Sequence, residues 1–211
     1  MPKKVALIST LIISSLVLAG CATAPAEIED AAATPTPNAE VTETPTPTES
    51  ESEESVSAAK PAIKASMTDT EVVLVALMGP VGEYAAAASY KAVIDEYRSV
   101  EPYATIYESE LRHISSLTRQ LQNLGEPIPT NPYLGKMTLE KDFVAIAKAE
   151  AEVEVLNVEM YDDLSSKTSN SNLLKVLGNL RSASLEMHLP AFDLAAINGG
   201  TLKPEQMQRY N

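Results

Sequence analysis

The sequence predicts an all-α protein, a four-helix bundle carried behind a disordered Pro/Thr/Glu-rich tether. Three observations carry that prediction. Composition changes near residue 66, and every aromatic residue in the chain lies at Tyr84 or later. Beyond residue 66, apolar residues recur at spacings of three and four, and no stretch sustains the period-two alternation of a half-buried strand. Pro, Gly and capping residues then divide this part into four segments of about 22 to 30 residues, the lengths of bundle helices.

The N-terminus reads as a leader. Lys3 and Lys4 precede an uncharged run from Val5 to Leu18, too short for the ~20 residues of a spanning helix. The run closes on Leu18-Ala19-Gly20-Cys21, which looks like a bacterial-type lipobox. Small residues there admit a peptidase to the backbone, and the Cys21 thiol accepts a diacylglycerol. Residues 1–20 are therefore expected to be a lipoprotein signal peptide cleaved before Cys21. Two acyl chains would then anchor the protein stably to the outer face of a membrane, an extracytoplasmic placement in a bacterial or archaeal cell.

Residues 21–65 form the expected tether. They hold six Pro, nine Asp or Glu, two Lys and no aromatic residue, so little apolar surface is on hand to offset the entropy of ordering. Thr34-Pro35-Thr36-Pro37 and Thr44-Pro45-Thr46-Pro47 stiffen the chain, and like charges extend it. Loss of Lys3 and Lys4 with the leader moves the net charge from −13 to −15. That acidity excludes a nucleic-acid partner, which needs clustered Lys and Arg. One Cys excludes disulfide frameworks and multi-cysteine metal sites.

The helices follow in order. Thr68-Asp69 opens the first, which runs to about Arg98. Pro102 sits in the first turn of the second, which Gly125-Glu126-Pro127-Ile128-Pro129 ends. Thr138 is the expected N-cap of a third helix reaching about Lys167. Asn170 or Asn172 caps a fourth, and Asn198-Gly199-Gly200 stops it. Residues 66–198 form the bundle, and 199–211 are expected to be an exposed C-terminal tail.

The apolar stripes carry polar residues inward. In the second helix the stripe is Ile106, Glu110, His113, Leu117, Leu121 and Leu124, so Glu110 and His113 share the core-facing side about 60° apart. Glu-x-x-His with both members inward is the motif of di-metal carboxylate bundles. The third helix aligns Phe143, Ala147, Glu150, Glu154, Asn157 and Tyr161; the fourth aligns Leu173, Leu177, Leu180, Ser184, His188 and Phe192. Glu83 opens a small-residue run in the first helix. Buried Glu is costly unless paired or bound to metal, so inward carboxylates beside both histidines of the chain invite a metal reading. The alternative from the same pattern is a set of histidines and glutamates satisfied within a core.

Residues 69–198 resemble the ferritin-like domain of unknown function 2202 family of bacteria and archaea. The segment from Pro102 through Ile106-Tyr107-Glu108-Ser109-Glu110-Leu111-Arg112-His113 is similar to that family's second helix, with its Ser-Glu-x-x-His. Val153-Glu154-Val155-Leu156-Asn157-Val158 resembles the third-helix element, and His188-Leu189-Pro190-Ala191-Phe192 the fourth. The resemblance implies a ferritin-like bundle with Glu83, Glu110, His113, Glu154 and His188 as metal ligands. It implies one or two ions, Fe or Mn by the mixed oxygen and nitrogen donors, with Zn also admitted.

The departures are specific. Gly79-Pro80-Val81-Gly82 replaces the family's acidic start of helix 1, and Pro80 is expected to kink or restart it. Asn157 stands for an Asp. The second Glu-x-x-His lacks its Glu, because position 185 is Leu and Glu186 points about 200° from His188. Glu150 is the available substitute. Two functions are therefore expected as alternatives: metal storage or oxidant-linked chemistry outside the membrane, or a non-catalytic tethered module that binds a cell-envelope partner.

Overall fold

A computed structural model describes residues 63–210. The leader, Cys21 and the tether up to residue 62 lie outside them. The described residues are all-α: no strand occurs among them, and the one β-bridge pairs Glu101 with Leu202. The helices are α1 (Asp69–Met78), α2 (Glu83–Tyr97), α3 (Tyr103–Asn123), α4 (Phe143–Ser165), α5 (Ser171–Ala183), α6 (Leu189–Ile197) and α7 (Pro204–Met207). A five-residue π-helical turn, Ser184–His188, joins α5 to α6 without a loop. The long rods are thus α1–α2, α3, α4 and α5–π–α6, with α2 packed along α3 and α4 packed along both α5 and α6.

Local chemistry explains the boundaries. Thr68 and Glu71 form a reciprocal capping box at the start of α1: the Thr68 hydroxyl accepts from Glu71 N–H, and Glu71 accepts from Thr68 N–H at 2.8 Å. The first rod breaks at residues 79–82, as Pro80 requires. Gly82 is needed there for close approach, since a Cβ would stand 2.6 Å from the Ala76 carbonyl oxygen. The third rod starts later than expected. Thr138 is not its cap; Asp142 is, accepting from Ala145 N–H at 2.9 Å, and residues 138–141 remain loop. Asn170, not Asn172, caps α5.

Pro190 explains the π turn. Its ring would collide with the carbonyl of residue 186 in a regular α-helix and it has no N–H to donate. The wider turn relieves both, with Leu189 N–H bonding back five residues to Ser184. The C-terminal segment is not an exposed tail. Leu202 N–H donates to the Glu101 carbonyl at 2.7 Å, Leu202 and Met207 are buried, and Tyr210 packs on the same cluster.

The apolar core has two parts. One gathers Val72, Val73, Leu77, Leu117, Met160, Leu164, Leu173 and Leu177; the other gathers Tyr90, Tyr103, Ile106, Ala147, Ala191 and Phe192. On every rod a polar step separates them. The order is Ile106, Glu110, His113, Leu117 on α3, and Ala147, Glu154, Met160 on α4. It is Leu180, His188, Ala191 on the fourth rod, and Val81, Glu83, Ala86 on the first. A layer of charge crosses the middle of the core.

Candidate metal centre

Each rod contributes to that layer. Glu83 is the first residue of α2, Glu110 and His113 lie one turn apart on α3, Glu150 and Glu154 one turn apart on α4, and His188 ends the π turn. Glu110 is 1% exposed, Glu154 0% and His188 3%; His113 is the most accessible at 15% of its side chain. Such burial of ionisable groups is tolerated only with partners.

The five side chains expected as ligands converge as two triads. Glu83, Glu110 and His113 bring one donor atom each within 4.8 Å of one another, and so do Glu110, Glu154 and His188. Glu110 belongs to both. Its Oε2 lies 3.0 Å from His113 Nδ1 and its Oε1 3.0 Å from His188 Nδ1. His113 Nδ1 is 3.6 Å from Glu83 Oε2, and His188 Nδ1 is 3.3 Å from Glu154 Oε1. The imidazoles stack with centroids 5.5 Å apart.

Tyrosines orient the outer carboxylates. Tyr161 donates to Glu83 Oε1, and Tyr90 donates to Glu154 Oε1 at 2.7 Å. Ser89 donates to Glu150 Oε1, which stands in neither triad. These partners were legible only weakly: Tyr90 lies seven residues after Glu83 and Tyr161 seven after Glu154, hence on the same helix faces. Sequence gave no sign of which hydroxyl meets which carboxylate. Both pairings cross between rods.

Among the described residues, four buried polar atoms have no hydrogen-bond partner: Glu83 Oε2, Glu154 Oε2, His188 Nδ1 and Asn157 Oδ1. His188 Nδ1 is close to two carboxylate oxygens but aligned for a hydrogen bond to neither. Three of the four atoms belong to the triads. Their chemistry, carboxylate oxygen with imidazole nitrogen, fits a divalent transition-metal ion. Position 185 supplies nothing: Leu185 is exposed, as is Glu186.

Protons stand in for cations in this set. Burial, then the charge of Glu110, pushes Glu83 up to about 8. Burial, then its neighbours Glu154 and Glu110, pushes Glu150 up to about 8 despite the Ser89 hydrogen bond. Burial pulls His113 down, but the Glu83 and Glu110 carboxylates outweigh it and hold the imidazole at about 11. The same contest, against Glu154 and Glu110, leaves His188 at about 10. Burial alone would raise Glu110; the adjoining Glu83 side chain and both imidazolium charges hold it well below the usual range. Burial raises the Tyr90 and Tyr161 hydroxyls well above 10, so both remain donors.

Compared with known protein families, with curated proteins and with solved structures, the chain finds no match, so the reading of this centre rests on its own residues.

Proposed function

We propose that this protein is a membrane-anchored, extracytoplasmic lipoprotein whose ferritin-like bundle binds one or two ions of Fe, Mn or Zn. The observation that carries the proposal is the pair of Glu/His triads sharing Glu110, with unpartnered, buried oxygen and nitrogen atoms among them. Glu83 and His113 would hold an ion on one side, Glu154 and His188 on the other, and Glu110 is placed to serve both. A bound Fe or Mn ion supplies one-electron chemistry, and a Zn ion supplies Lewis acidity. The chain's own part is to orient and to exclude water. Tyr161 and Tyr90 each fix one oxygen of an outer carboxylate and leave the second oxygen directed at no protein donor. Metal storage or oxidant-linked chemistry is the corresponding role.

Metal analysis of the chain from residue 22 onward, after anaerobic purification and reconstitution, tests it. One or two ions per chain are expected for the unaltered protein and a loss in Glu110→Ala and His113→Ala. Absence of stoichiometric metal in the unaltered protein refutes the proposal. It would favour the second reading, a non-catalytic module for a cell-envelope partner, which the missing carboxylate at exposed Leu185 supports.

A further inference from the structure

A cleft of about 360 Å³ opens between α2 and α4 beneath the loop at residues 137–140, and it leads inward to Glu150. Its walls include Ala85, Ala86 and Ser89 of α2, whose small side chains leave the opening. Its charged lining residues are Glu140, Glu150 and Glu152, with no Lys or Arg among them. Glu140 and Glu152 are exposed at the mouth, whereas Glu150 is 5% exposed at the inner end. Glu150 stands one helical turn before Glu154, so their Cβ atoms are about 6 Å apart. Ser89, which holds Glu150, directly precedes Tyr90, which holds Glu154. The lining of the cleft therefore ends where the second triad begins.

We propose that this cleft is the port by which a divalent cation reaches the buried Glu/His centre, with the Ser89–Glu150 hydrogen bond as its inner gate. The inference rests on the metal reading above and extends it to a route. The carboxylates of Glu140 and Glu152 at the mouth of the cleft concentrate cations there and speed their arrival. Glu152 and Glu140 meet the hydrated ion at the surface. Glu150, freed from Ser89 by a side-chain rotation, accompanies it past Ala86 and hands it to Glu154 one turn further on. Glu150 acts here as a positioning residue, since it belongs to neither triad.

Stopped-flow loading of Co²⁺ into the chain from residue 22, read by its visible absorption, tests the route separately from the centre. Glu150→Gln keeps the side-chain shape but removes the carboxyl oxygen that can give up its proton to an arriving cation. Ala149→Phe narrows the mouth from a partly exposed position that is outside the buried core. Both variants are expected to reach the unaltered protein's final Co²⁺ stoichiometry, and to do so about tenfold or more slowly. Raised ionic strength should slow the unaltered protein and Glu150→Gln alike, since the exposed Glu140 and Glu152 at the mouth carry the attraction in both. Unchanged loading rates in both variants overturn the port while leaving the centre standing. Lost stoichiometry in Glu150→Gln makes Glu150 a ligand and overturns its role as a gate. Failure of the unaltered protein to take up Co²⁺ removes the centre itself.

Discussion

At the scale of single residues, Glu110 differs from the other carboxylates because both triads use it. Glu110→Ala is therefore expected to remove all bound metal, whereas Glu83→Ala and Glu154→Ala each spare one triad. Elemental analysis after dialysis against a weak chelator reads the difference; equal loss in all three variants would count against a shared carboxylate. The protons in the layer give a second expectation. Glu83 and Glu150, ordinarily at 4.5, are held at about 8, so the metal-free fold keeps protons there that the unfolded chain releases. Their contribution to stability is present below 4.5 and is lost as pH rises through 8. His113 and His188, ordinarily at 6.5, are held at about 11 and about 10, so theirs is present below 6.5 and lost at still higher pH. Glu110, held low, loses its contribution only in acid. The Tm of chelator-treated protein should thus fall between pH 5 and pH 9. Added metal should raise it more at pH 8 than at pH 6, because binding displaces these protons. A metal-free Tm that climbs across that range would contradict the proton assignments.

At the scale of elements, the breaks do the positioning. Gly82 allows α2 to restart against α1, which places Glu83 in a first helical turn, with its Oε2 3.6 Å from His113 Nδ1. The π turn before Pro190 keeps both Ser184 and His188 buried while leaving Leu185 and Glu186 outside. Gly200 closes the fourth rod at φ 90°, and a Cβ there would lie 2.1 Å from the Phe143 carbonyl carbon at the start of α4. Its N–H bonds to Ala195 O, and its carbonyl accepts from the Tyr103 hydroxyl. Gly200→Ala is expected to cost about 3 kcal/mol in urea unfolding, since positive φ and backbone overlap act together. A change below half a kcal/mol, roughly that of a neutral surface substitution, would show that this junction yields easily. The segment after Gly200 belongs to the same junction through Leu202 and Met207.

At the scale of the whole molecule, charge is divided by function. The tether carries only two Lys against nine acidic residues, and the remaining acidity lies with the bundle, part of it in the buried layer. The stretch Asp69–Tyr97 is long and apolar enough to cross a membrane, yet 67% of its most apolar window is buried against the other helices. The attachment proposed for this protein is through Cys21 instead. Cys21→Ser in the full chain is expected to abolish incorporation of labelled fatty acid and to move the protein out of the membrane fraction. Retention of label would refute the lipobox. The acidic tether and body would then hold the bundle off an anionic surface.

The stripes were legible because burial and helical period coincide: Ile106, Glu110, Leu117 and Leu121, like Leu173, Leu177, Leu180 and His188, are all buried. Leu124 departs from its stripe because α3 ends at Asn123. The cap of α4 falls at Asp142 and not at Thr138: the Asp142 carboxylate accepts from Ala145 N–H, and residues 138–141 stay in the loop. The burial of Leu202 and Met207 was invisible, since a few apolar residues after Gly-Gly have no period to read. By itself the sequence determined the helical class, the inward faces and which carboxylates and imidazoles occupy them, because all three follow from short-range periodicity. Only the tertiary structure decided that Glu110 is shared, that Tyr161 meets Glu83 and Tyr90 meets Glu154, and that Glu150 faces a cleft. Those relations join residues some 30 to 80 positions apart, and nothing in local spacing fixes how one rod is rotated against the next.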